Sequence, residues 1–286
     1  MTFAIIANIF RPEAVKATKK LVSWMKSQKI EFYIDPDTAE LIKTGPALKL
    51  PQMHKKCDVF VSLGGDGTLL RAAHYSNTKP VIGINLGTLG FLAEFSEEEM
   101  LEAIARVNNH IFTLENRTRL EACIQSGTRR KRFHALNDVV IEKGTYPRMP
   151  VLHLSIDQKP LSTYRADGII ISTSTGSTAY SMSAGGPIIF PKSRVFVITP
   201  ICPHMLTVRP IVISDDKEIE ITVETSDDRF ILNCDGLVTQ TLTSRHRIFV
   251  RKAKYGVNII ANEKRNYFEV LRTKLLWGKE HTTKPQ

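Results

Sequence analysis

The sequence predicts an α/β unit followed by an all-β domain, with a helix at the C-terminal end. Three observations carry this. Up to about residue 115, short apolar runs alternate with segments of helical period. Beyond that point, apolar and polar residues alternate with period two, with Pro and Gly between the runs. Near the middle of the first part, the buried run Asp58-Val59-Phe60-Val61 stops at Gly64-Gly65 and a helix opens just after.

In order, Phe3 to Asn8 reads as the first strand. Pro12 to Ser27 reads as a helix, with Val15, Leu21, Val22 and Met25 at helical spacing and Pro12 near its start. Glu31 to Ile34 is a short strand. Residues 35–51 show little pattern and are expected to be loop with one short helix. Strand 57–63, a glycine turn and the strand Pro80–Asn85 follow, then a second glycine-rich loop, Gly87 to Leu92. Ser96 with Glu99 forms a capping box before the helix Met100 to Val107. Parallel strands with helical crossovers put ligand-facing loops at the strand C-termini. In the second part, Leu152/Leu154/Ile156 alternate with His153/Ser155/Asp157, Ile219/Ile221/Val223 with Glu218/Glu220/Thr222, and Phe230/Leu232/Cys234 with Arg229/Ile231/Asn233. Further strands are expected at 169–171, 195–198 and 248–250. Tyr267 to Trp277 turns helical and should pack back on the first domain, and the last nine residues, from Gly278, are expected to fray. The expected domains are therefore 1–115, joined by 265–286, and 116–264.

The chain has 286 residues, 42% hydrophobic and 24% charged, ordinary for a soluble globular protein of one or two domains. No apolar run approaches the ~20 residues of a membrane span, and the N-terminus reads as a strand, not a signal peptide. Cys57, Cys123, Cys202 and Cys234 lie far apart without C-x-x-C, which fits free buried thiols in a reducing cytoplasm. The net charge of +10 favours anionic partners. The basic run Arg129–Arg132 has no interleaved aromatics and reads as a solvated hairpin tip, so nucleic acid is not an expected partner.

Chemistry concentrates in three stretches. In Gly64-Gly65-Asp66-Gly67-Thr68, the glycines let a ligand approach the backbone, and the helix N-terminus offers N–H groups to an anion. An acid inside a phosphate site repels its ligand. It makes sense if it holds a cation or takes a proton from an attacking hydroxyl. Asn137-Asp138 puts an amide beside a carboxylate. Asp167 through Pro187 is a buried strand followed by hydroxyls, small residues, Tyr180 and Gly-Gly-Pro, a loop rich in donors and poor in bulk. No P-loop, no G-x-G-x-x-G after the first strand and no zinc motif is present.

The first motif resembles one shared by NAD kinases, diacylglycerol and sphingosine kinases and phosphofructokinases. With the other two stretches in order and spacing, and with Asn85 to Leu92 and Cys234-Asp235-Gly236, the chain resembles the bacterial NAD kinases over nearly its whole length. The resemblance implies a Rossmann-like parallel sheet, a β-sandwich-like second domain with the site in a cleft, and a cytoplasmic homo-oligomer, commonly a tetramer. The implied reaction is transfer of the γ-phosphate of ATP to the 2′-hydroxyl of the adenosine ribose of NAD, with Mg or Mn travelling with ATP and no metal held by protein alone. Asp66 matches the proton acceptor, and Gly67, Thr68 and Arg71 would serve phosphates. Asn137 and Asp138 match an Asn-Glu pair on the ribose hydroxyls, with the acid one methylene shorter here. Thr178, Ala179, Tyr180 and Ser183 match residues at the adenine and nicotinamide ends, and Arg165, Asp167 and Arg148 match further contacts. Asn85, Phe91, Ser181, Met182 and Asp235 are also implied in NAD or ATP binding. Leu237 stands where many members have Gln. The rival readings are a lipid or sphingoid-base kinase, for which no basic amphipathic helix is seen, and a non-catalytic nucleotide sensor, which leaves an acid at position 66 unexplained.

Overall fold

The computed structural model describes residues 1–87, 90–146, 148–226 and 228–277. The chain divides into two compact units, Met1–Glu115 with Asn258–Gln286, and Asn116–Val257. The second boundary lies at 257, not at the expected 264, because of a strand. Val257–Ile260 joins the parallel sheet beside Val81–Asn85, with Ile259 opposite Val81. Ala261 N–H then donates to Thr113 O at 3.0 Å.

The first unit is built on a seven-stranded sheet. Glu31–Ile34, Thr2–Ala7, Val59–Gly64 and Val81–Asn85 pair in parallel, with Val59–Gly64 inside. Val59–Gly64 and Val81–Asn85 are buried at every residue, as in a parallel sheet covered on both faces. On one face, Leu21, Val22 and Met25 of the helix Pro12–Ser27 and Ile104 and Val107 of the helix Met100–Asn108 pack against Phe3, Ile5, Val59, Val61 and Leu63. The capping box forms as expected: Ser96 N–H donates to Glu99 Oε2 at 2.9 Å, and Glu99 N–H to Ser96 Oγ at 3.4 Å. Residues 35–51 are loop with one short helix, as expected, up to the start of a helix that the sequence did not show. They form the helix Pro36–Ile42, and a second helix, Leu50–Lys56, starts just before their end. Each spans two turns, too short for hydrophobic periodicity to show. The first is instead marked by its cap, Asp35, which accepts from Thr38 N–H.

The second unit is a sandwich of two six-stranded antiparallel sheets. Their inner faces share one core. Leu120, Leu152, Leu154, Ile221, Val223, Ile248 and Val250 come from one sheet, and Val139, Ile141, Ile169, Ile171, Phe196, Ile198, Phe230 and Leu232 from the other. Alternating burial along Ile219–Glu224 and Phe230–Cys234 follows the sequence pattern. Two expectations are corrected here. Arg129–Arg132 is exposed but lies along the edge strand Arg129–Ala135, and the hairpin turns earlier, at Gly127 with φ +58°. Cys202 is exposed, while the other three thiols are buried. It follows the strand Val195–Ile201 at φ +45°, where the chain leaves the core.

The helix Tyr267–Leu275 belongs to the first unit and buries Val270 and Leu271. The expected frayed end, 278–286, lies outside the described residues, as do Thr88 and Leu89 of the second glycine-rich loop. Among the described residues, no helix is long and apolar enough to cross a membrane.

Candidate active site

Asp66 opens the helix Asp66–Ser76 directly after the strand Val59–Gly64, at the C-terminal edge of the parallel sheet. Its carboxylate collects N–H groups from three consecutive residues. Oδ2 accepts from Phe91 at 2.8 Å, and Oδ1 from Leu92 at 3.0 Å and Ala93 at 3.1 Å. Oδ1 is thereby saturated, and Oδ2 keeps one lone pair for a further donor. The loop fits because residue 90 is glycine: a Cβ there would overlap the Asp66 carboxylate. Behind the loop, Arg265 Nη2 donates to Gly90 O at 2.7 Å and Nη1 donates to Ala93 O.

The neighbours sort unequally. Gly67 is exposed with open space beside its Cα, and Thr68 is buried in the first turn. Phe91 contributes its backbone N–H to Asp66. Asn85 ends its strand buried, with Nδ2 donating to Gly87 O at 3.2 Å. Arg71, expected at the phosphates, points to two acids of the neighbouring helix start: Asp37 at 3.3 Å and buried Asp35 at 3.6 Å. Burial raises the Asp35 pKa, opposed by Thr38 and the Arg71 charge.

In the second unit, tertiary structure joins three separated stretches. Asp235, at φ +54°, accepts from Leu136 N–H at 2.6 Å, Asn137 N–H at 2.8 Å and Asp138 N–H at 3.0 Å. Thr173 holds the same segment from the other side, its N–H donating to Asn137 O at 2.9 Å and its hydroxyl to Leu136 O at 2.7 Å. A Cβ at Gly176 would overlap the Asn137 carbonyl, so the loop closes only on glycine. Asn137 is left 9% exposed, with Oδ1 buried and without a hydrogen-bond partner. A buried orphan acceptor of this kind is costly unless a ligand supplies the donor.

Asp138, 6% exposed, sits beside Asp235. Burial, then the Asp235 charge, pushes its pKa up to about 7. Asp235 is also raised by burial, opposed by its three amides and by Arg119. Arg119 and Arg265 have no motif around them, and neither was visible as a site residue in the sequence. Only the fold brings them to these carboxylates.

The remaining expected residues are more loosely arranged. Tyr180 is 43% exposed, and its pKa is raised first by burial and then by Glu142. Thr178 and Ala179 are half-buried, Met182 likewise, and Ser183 is exposed. Ser181 is fully buried, and its hydroxyl pairs with Thr199 Oγ1 at 2.9 Å, so its side chain serves the interior. Asp167 pairs with Lys143 at 2.7 Å, and Arg165 and Arg148 are exposed. Among the described residues, no group of three or more His, Cys, Asp or Glu could hold a metal ion.

A carboxylate on a glycine turn beside a helix N-terminus, with no P-loop, defines a class of nucleotide phosphotransferase. Residues 3–112 match the ATP-NAD kinase N-terminal domain, and residues 136–262 the ATP-NAD kinase C-terminal domain. The NAD kinase of Chloroherpeton thalassium is 60% identical over 280 residues, covering 98% of this chain and 99% of that protein. The NAD kinase of Chlorobium limicola is 56% identical over 283 residues, covering 99% of each. Among solved structures, yeast NADH kinase complexed with NADH superposes with a TM-score of 0.91 at 27% identity, covering 100% of this chain and 90% of that one. An NAD kinase from Archaeoglobus fulgidus in complex with ATP gives 0.77 at 26%, covering 96% and 99%. The chain belongs to the ATP-NAD kinase family, and its activity is the phosphorylation of NAD by ATP.

Proposed function

We propose that Asp66 Oδ2 is the proton acceptor for the 2′-hydroxyl of the adenosine ribose of NAD. The observation that carries this reading is the three-amide grip, which saturates Oδ1 and leaves one lone pair on Oδ2. An alcohol is a poor nucleophile, and a fixed carboxylate within hydrogen-bond reach orients it and takes its proton. The ribose oxygen forms its bond to the γ-phosphorus as the bond from that phosphorus to the β,γ-bridging oxygen breaks. ADP leaves with the bond's electron pair, and the hydroxyl proton ends on Asp66. Gly67 and the first-turn N–H groups serve the phosphates. A divalent cation enters with ATP, held chiefly by phosphate oxygens and water.

In the same reading, Asn137 and Asp138 hold the ribose hydroxyls, and Tyr180 offers its exposed ring to a base. The orphan Asn137 Oδ1 supports this assignment, since a ribose hydroxyl is the donor it lacks. Asp235 acts from behind, setting the backbone that aims both side chains. The test is NADP formation from NAD and Mg-ATP. Asp66→Asn should lower kcat by about 10²–10⁴-fold with the fold intact. A variant retaining full kcat would remove Asp66 as the base.

A further inference from the structure

The Gly90–Ala93 loop is gripped from two sides. On one, Asp66 accepts the N–H groups of Phe91, Leu92 and Ala93. On the other, one guanidinium donates to the carbonyls at both ends of the loop, Gly90 O at 2.7 Å and Ala93 O. We propose that Arg265 is a positioning residue for phosphoryl transfer: by fixing the loop carbonyls it fixes the amides that aim the Asp66 carboxylate. The inference rests on the reading of Asp66 as proton acceptor.

Arg265 is suited to this by geometry. Its planar fork spans two carbonyls at once, which a lysine ammonium cannot do with the same rigidity. Its Nε is buried with no hydrogen-bond partner, and its two terminal nitrogens each donate to a loop carbonyl. Burial lowers its pKa, and Glu94, Asp66 and Glu99 oppose that shift, so its charge also faces the catalytic carboxylate. The residue is itself held firmly. Its N–H donates to Asn262 O at 2.9 Å, and Asn262 grips Glu94 through its N–H at 2.7 Å and its Nδ2 at 3.2 Å. Directly after it, Asn266 caps the helix Tyr267–Leu275 by accepting from Phe268 N–H at 2.9 Å. The segment after the last strand is thus the rigid backing of a loop that lies 172 to 175 residues earlier.

The test is a double-mutant cycle on the full chain, with steady-state kinetics in NAD and Mg-ATP and a thermal melt of each variant. Arg265→Gln should lower kcat about 10- to 100-fold, the order expected when a catalytic group drifts by about 1 Å. KM for NAD and for ATP should stay within about threefold, and Arg265→Lys should fall in between. In the Asp66→Asn background, adding Arg265→Gln should change kcat by less than about threefold, because the residue acts through Asp66. The proposal is overturned if Arg265→Gln keeps kcat, if it raises KM alone, or if its loss multiplies that of Asp66→Asn. Should Arg265→Gln not fold, Arg265→Lys completes the cycle, and the same criteria decide. Full activity in Asp66→Asn alone would instead locate the failure in the reading of Asp66, and this inference would fall with it.

Discussion

Asp66 in the first unit and Asp235 in the second are held in the same way, each by the N–H groups of three consecutive residues. Both sit next to a glycine, and both have an arginine among their charged neighbours, Arg265 for one and Arg119 for the other. What differs is the next carboxyl. Asp66 has no second acid against it in the loop it grips, whereas Asp235 is pressed against buried Asp138. One nest therefore leaves a carboxylate oxygen with a lone pair to spare. The other fixes a segment beside an acid that burial first, and the Asp235 charge second, push toward its neutral form. The same local device leaves an oxygen open in one place and braces a backbone segment in the other, and on the proposed reading the first accepts a proton while the second positions substrate.

The comparison can be broken by exchanging the damage. The largest effect is expected at Asp66→Asn, the kcat loss given above, with KM for NAD little changed. Asp235→Ala should show the opposite signature. It strips the acceptor from three N–H groups, at about 1–3 kcal/mol for each one left dry. The unfolding midpoint should drop by several degrees and NAD binding by calorimetry should weaken at least tenfold. A wild-type NAD affinity in this variant would show that the 136–138 segment needs no support.

Asp138→Asn sharpens the electrostatic half of the contrast. The folded carboxyl titrates near 7 against an ordinary value of 3.8. Its contribution to stability is thus fully present below about pH 4, is lost as pH rises toward 7, and stays flat above that. The amide should accordingly stabilise the fold relative to wild type by a margin that grows across this window, to roughly 4 kcal/mol at most. Denaturant melts at pH 4.5, 6 and 8 would measure it, and a margin independent of pH would refute it. The smallest effect is expected at Gly90→Ala. The added Cβ meets the carboxylate end of the Asp66 side chain, which must give up part of its three-amide grip to make room, so the backbone fold should survive while kcat falls about tenfold. An unchanged kcat would mean that the loop and carboxylate shift together without consequence.

Much of this was legible in the chain itself. The Gly-Gly-Asp-Gly-Thr turn, the Ser96/Glu99 capping box and the alternation along Phe230–Cys234 are local, and each appears in the fold where its residues predict it. Arg71 shows where local reading runs out. A cation on the first turns of a helix that follows a glycine turn reads as a phosphate ligand, whereas its pairing with Asp35 and Asp37 of another element leaves no local trace in the chain. Ser181 is similar: within a hydroxyl-rich loop it reads as a ligand contact, yet the fold turns it inward onto Thr199.

By itself, the sequence determined many of the strands and the longer helices, the glycine turn after the strand Val59–Gly64, and the acid that stands in that turn. These follow from backbone sterics, capping and side-chain period, all set within a few residues. Only the tertiary structure decided what holds the acids. The donors to Asp66 lie 25 to 27 residues away and those to Asp235 97 to 99 away. Strand order brings them together, and a hydrogen bond between residues so far apart leaves no periodicity in the chain to read.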